Sequence, residues 1–159
     1  MIDIVELPSF SAPGRVPYGI EIYVHSAYQI LQEAQILAAR GGDAGYRDAI
    51  SGFLSMFETS ILRRVAQSPL KLADVGLEDY PYQDLREAGA AVPVQACTAT
   101  ALFLIFAAAN RIQYAAMLAK RASGVQALYH DPDVRAYAKS LKEPLAAAEK
   151  GLVRISREV

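Results

Sequence analysis

The residues best placed to do chemistry in this chain are Glu21 and His25, with Tyr28 beside them and Glu58 on a later segment. A carboxylate and an imidazole at positions i and i+4 share one face of a helix, where they can chelate a metal or work as an acid–base pair. The same face continues through Gln29 and Gln32, which makes it a polar stripe opposite an apolar one. That pattern favours a solvated His25 loosely paired with Glu21, and it predicts that His25→Ala changes little. The second histidine, His130, stands just before Asp131 in a turn and is read as a loop residue rather than a haem or metal ligand.

A di-metal carboxylate centre in a helical bundle needs a Glu from each of two helices and a Glu-x-x-His pair from each of the other two. The sequence does not supply it. Neither histidine has a Glu three residues earlier, and no carboxylate occurs between Val92 and Arg121. The single cysteine, Cys97, lies in an apolar run without a neighbouring His or Lys to lower its pKa, so it reads as an inert buried thiol. Gly41-Gly42-Asp43-Ala44-Gly45 resembles a phosphate cradle only superficially. It has no lysine, carries an acid where phosphate would approach, and follows a helix rather than a strand. No cofactor and no metal are therefore assigned.

Charged and aromatic surfaces are the other candidates. Arg135, Lys139, Lys142, Lys150, Arg154 and Arg157 occupy one side of a C-terminal helix, but Glu143 lies within the stripe and Glu149 at its border. With a formal net charge of −1 for the whole chain, nucleic acid is an unlikely partner. The segment 70–83 carries the opposite sign and holds Tyr80-Pro81-Tyr82 next to Asp79, a composition suited to a protein contact.

These residues need elements to position them, and helical periodicity supplies nearly all of those elements. Length fits one domain able to bury a core of its own. Pro8, Pro13, Gly14 and Pro17 predict an extended arm over 1–17, whose apolar residues, Phe10 among them, predict docking on a second copy of the chain. Ile20, Val24, Ala27, Leu31, Ala34 and Ala38 predict a helix over 18–40, closed by Gly41-Gly42. Tyr46, Ile50, Phe53, Phe57, Ile61 and Val65 predict a second over 43–67, capped by Asp43, and a short helix follows at 84–91.

Pro93 opens a third long helix over 93–122, apolar on every side between Ala96 and Ala109. Such a helix should be surrounded, which places Ala96, Leu102, Leu104, Ile105 and Phe106 in the core. The apolar stretch from Val92 to Ala109, about 18 residues, reaches only the lower limit for a membrane span, so a central core helix is expected. Asp131-Pro132-Asp133 starts the last helix, with Val134, Ala138, Leu141, Leu145, Ala148, Leu152, Ile155 and Val159 along a narrow seam and Pro144 as a kink within it.

The expected architecture is an all-α bundle of four to five helices, an arm over 1–17 and one domain over 18–159. The expected function is that of a non-enzymatic interaction or assembly subunit of the cytoplasm, acting in a homo-oligomer or larger complex. Contacts would come from Phe10, Asp79, Tyr80, Tyr82, Arg135, Lys139 and Lys142. A small helical enzyme or cofactor binder on the Glu21/His25 face, and a nucleic-acid-associated protein using the last helix, are the alternatives.

Overall fold

A computed structural model describes residues 16–68, 82–124 and 131–157, with side chains described from Ile20 and from Leu85 in the first two stretches. The chain is an all-α helical bundle, with no strand among the described residues. Its first helix, α1 (Val16–Arg40), starts two residues earlier than the proline content suggests, because proline is tolerated in a first turn whose N–H groups have no intrahelical acceptor. The arm therefore does not extend to Pro17; residues 1–15, Phe10 included, lie outside the described residues.

Gly42, at φ +80°, turns the chain out of α1, and the Asp43 carboxylate accepts the Tyr46 N–H at 2.9 Å to cap α2 (Ala44–Phe57). This is a helix-to-helix turn packed on Cys97 and Thr98, where a Cβ at Gly41 would come within 2.5 Å of Thr98 Oγ1. The second helix then slips into a π turn over Glu58–Leu62 before closing as α3 (Arg63–Ala66). A reason is visible in the spacing: Phe53, Phe57, Ile61 and Val65 recur strictly every four residues, which overshoots a 3.6-residue turn, and a wider turn returns them to one face. All four are buried.

After α4 (Tyr82–Ala90), a 3-10 turn at Val94–Ala96 leads into α5 (Cys97–Ser123), and α6 (Pro132–Ser156) completes the bundle. In cross-section α1 packs on α5, α5 on α6, α6 on α2 and α2 on α1, with α4 on the outer side of α1. The seam of α6 is core throughout its described length, from Val134 to Ile155. Pro144 sits inside an unbroken α6. The Ser140 carbonyl, which would otherwise accept an N–H from position 144, is taken at 3.0 Å by the Arg64 guanidinium.

The expected central helix is not the observed one. Ile20, Ile22, Val24, Ala27, Ile30, Leu31 and Leu37 are buried around most of the circumference of α1, which lies between three neighbours. Helix α5 buries only the side bearing Ala101, Leu104, Ile105, Ala108, Ile112, Ala115 and Ala119; Ala96 and Leu102 are half-buried and Phe106 is exposed. Its small residues let α1 and α6 approach closely on that side, so two neighbours are enough to cover it. By length and composition Val94–Ser123 also passes for a membrane-crossing helix, although its inner face belongs to the bundle core.

Candidate functional site

Two features stand out, and neither is the solvated stripe expected on α1. The first is Glu21, which is fully buried rather than exposed. Its Oε1 accepts hydrogen bonds from Ser68 Oγ at 2.6 Å, beyond the end of α3, and from Tyr137 OH at 2.9 Å, on α6. Its Oε2 is buried and has no hydrogen-bond partner among the described residues. Burial in low-dielectric surroundings disfavours the charged form and pushes the carboxyl up to about 7, against the smaller opposing pull of the two hydroxyl donors. The Tyr137 hydroxyl is raised by its own burial and then by the facing carboxylate.

His25 is half-buried, and desolvation lowers its pKa, so it is neutral at pH 7. Among the described residues no hydrogen bond joins it to Glu21. Two turns along from Glu21, Tyr28 OH donates at 2.6 Å to Glu58 Oε1 on the π turn, and that bond is the first cause of a tyrosine pushed up to about 12. The four residues proposed as an enzyme face are thus divided between a buried tie of α1 to α3 and α6 and a separate contact of α1 with the π turn. Among the described residues no three His, Cys, Asp or Glu side chains converge as metal ligands.

A second buried acid, Glu33, shows how polar groups on α1 dock α4. Gly89 lies so close to it that a Cβ there would overlap the Glu33 carboxylate. Arg40 donates to the carbonyls of Gly89 and Val92, both at 2.9 Å, and so caps the C-terminal end of α4 with a cation. Sequence periodicity gave no sign of either contact.

The second feature is the outer face of α5. Phe103 is 45% exposed and Phe106 56%, and Tyr114 and Met117 are likewise exposed large residues. Phe103, Phe106, Asn110, Gln113, Met117 and Lys120 follow one another at alternating steps of three and four, the narrow seam of helix pairing. This seam was legible and was missed, because the alanine-rich run read as uniformly apolar. Toward α6 it borders two shallow hollows of about 600 and 580 Å³ that meet at Asn110 and Gln113. Lys142 and Ala146 flank one and Glu149 and Val153 the other. Tyr114 is braced from below by Tyr23 of α1, their rings stacked at 5.4 Å.

The remaining sequence candidates do not join this site. Arg135 and Lys139 are exposed on α6, Arg135 donating to the Gly124 carbonyl at 3.3 Å, and only Lys142 borders the α5 face. Tyr82 is the first residue of α4, which starts two residues before the helix expected over 84–91. Asp79, Tyr80 and His130 lie outside the described residues. Comparison with protein-family models, with curated proteins and with solved structures finds no match to this chain.

Proposed function

We propose that this protein is a helical assembly module that works through protein–protein contact on the outer face of α5, without catalysis of its own. The observation that carries the reading is the exposed seam Phe103–Phe106–Met117, three large apolar side chains on one stripe of a helix whose other face is core. Single exposed apolar residues are ordinary on a protein surface; several aligned on one helix face beside a groove, with two amides between them, mark a contact surface. The Glu21 tie supports the non-catalytic part, since its carboxylate is fully buried and bonded to two hydroxyls that hold helices together. The buried free thiol of Cys97 suits a reducing compartment, which the proposal takes to be the cytoplasm.

Sedimentation or light scattering across a concentration series tests this. The wild-type chain is expected to gain mass with concentration, and Phe106→Glu to remain monomeric with an unchanged helical circular dichroism spectrum. An assembly indifferent to Phe106→Glu removes α5 as the contact surface.

A further inference from the structure

Resting on that reading, we infer that the occupant of the α5 face is a second copy of this chain, its α5 running antiparallel about a two-fold axis between Asn110 and Gln113. The face is complementary to itself in that arrangement and in no other simple one. A seam spaced three and four packs knobs into holes, and reversing one copy about that axis sets Asn110 against Gln113 of the second copy, twice. Each amide carries both donors and acceptors, so the two polar residues interrupting an apolar stripe satisfy one another when water is excluded.

Outward from the centre, Phe106 meets Met117 of the second copy, a favourable aromatic–sulfur contact. Phe103 then meets Lys120 of the second copy, whose ammonium can sit on the ring face. The exposed Val153 on α6 flanks the Phe106 end of the groove and widens the apolar part of the contact.

Charge decides against the parallel alternative. No acidic residue lies between Val92 and Arg121, so parallel helices would stack Lys120 and Arg121 on their own copies with nothing on α5 to neutralise them. The antiparallel pair sends the two basic ends apart and opposes the helix dipoles. A membrane is a poorer occupant, because Asn110 and Gln113 at the middle of the stripe would face hydrocarbon without partners. Area is also sufficient. Helix α5 is roughly 40 Å long at 1.5 Å per residue, and with α6 beside it at about 10 Å the surface is about 20 Å wide. That gives roughly 800 Å² per copy, what each partner contributes to a stable complex.

Cysteine cross-linking in a glutathione redox buffer tests the register. Phe106→Cys and Met117→Cys are made in separate full-length chains distinguishable by mass, with the buried Cys97 retained and wild type as control. Mixed chains are expected to give at least about ten times more heterodimer than either homodimer. In the antiparallel register two copies of position 106 lie roughly 16 Å apart along the axis, beyond disulfide reach. Phe103→Cys mixed with Lys120→Cys repeats the measurement one layer out, should either inner variant fail to fold. Efficient self-linking of Phe106→Cys chains would mean parallel pairing, which overturns this inference and leaves α5 as the contact surface. Absence of any cross-link from a chain that stays monomeric at every concentration overturns the second copy as occupant. Recovery of the wild-type chain with floated lipid vesicles, abolished by Phe106→Glu, would overturn both this inference and the protein-contact reading.

Discussion

Helices α1 and α5 lie side by side and are of similar length, yet each does what the other's composition suggests. Helix α1 carries two carboxylates and a serine and is the surrounded one; Glu21, Ser26 and Glu33 are all buried within it. Helix α5 has no acid at all and leaves Phe103 and Phe106 in solvent. Neighbours, not mean hydropathy, decide which helix is central. α1 is held on three sides by α2, α4 and α5, and its acids are tolerated because Tyr137 and Ser68 come from other segments to meet Glu21 and Arg86 of α4 places a cation near Glu33. α5 needs only two neighbours for its alanine side, so its aromatic side stays available.

The contrast breaks most visibly within α5 itself. Leu104→Ala is expected to cost about 2–5 kcal/mol, the range for a leucine removed from a packed core, whereas Phe106→Ser in the monomer should cost less than about 0.5 kcal/mol, as surface substitutions do. Chemical denaturation of both, at a concentration where the protein is monomeric, is the measurement. Equal losses would mean that both sides of α5 are covered in one chain. Leu141→Ala or Leu145→Ala, on the fully buried seam of α6, belongs with Leu104→Ala in size.

On α1 the comparison is sharpened by pH. Glu21 has a folded-state value of about 7 against an ordinary 4.5. A raised acid favours folding in its neutral form, so its contribution is fully present below pH 4.5 and is lost as pH rises toward and through 7. At about 1.4 kcal/mol per unit the loss is on the order of 3 kcal/mol. Glu21→Gln keeps an acceptor for Ser68 and Tyr137 and cannot ionise. It should therefore be more stable than wild type at pH 8 and lose that advantage at pH 4. A wild-type stability that stays parallel to the Gln variant's between pH 5 and 8, and falls away from it only below about pH 4.5, would show that Glu21 is charged in the folded protein. His25→Ala, removing a half-buried neutral ring that makes no hydrogen bond among the described residues, should cost less than Glu21→Gln changes at pH 8.

How much of this was legible in the sequence follows from what each signal contains. The all-α class, the α2 core face and the α6 seam with its Asp131 cap rest on local spacing, and local spacing survives into the structure. Burial of Glu21 does not, because it depends on Tyr137, more than a hundred positions away, arriving over the first helix. The outer seam of α5 was present as spacing but was hidden by alanine, whose small apolar side chain marks neither face. The π turn was likewise written in the strict fours of Phe53, Phe57, Ile61 and Val65, a period that a 3.6-residue template absorbs without comment.

The smallest effect expected concerns Arg64. Pro144 leaves the Ser140 carbonyl of α6 without its helical donor, and Arg64 of α3 supplies a charged donor to that carbonyl at 3.0 Å. A hydrogen bond of this kind contributes about 0.5–1.5 kcal/mol net, and Arg64 is exposed, so water can replace part of it. Arg64→Met keeps the apolar stem and removes the donor, and should lose a few tenths of a kcal/mol up to about 1 kcal/mol. The same substitution made on Pro144→Ala should cost less, because alanine restores the backbone N–H that Arg64 replaces. A double-mutant cycle of the two reads that coupling directly. Strict additivity would mean that Arg64 contributes to α6 through its charge or its stem and not through the carbonyl that the proline sets free.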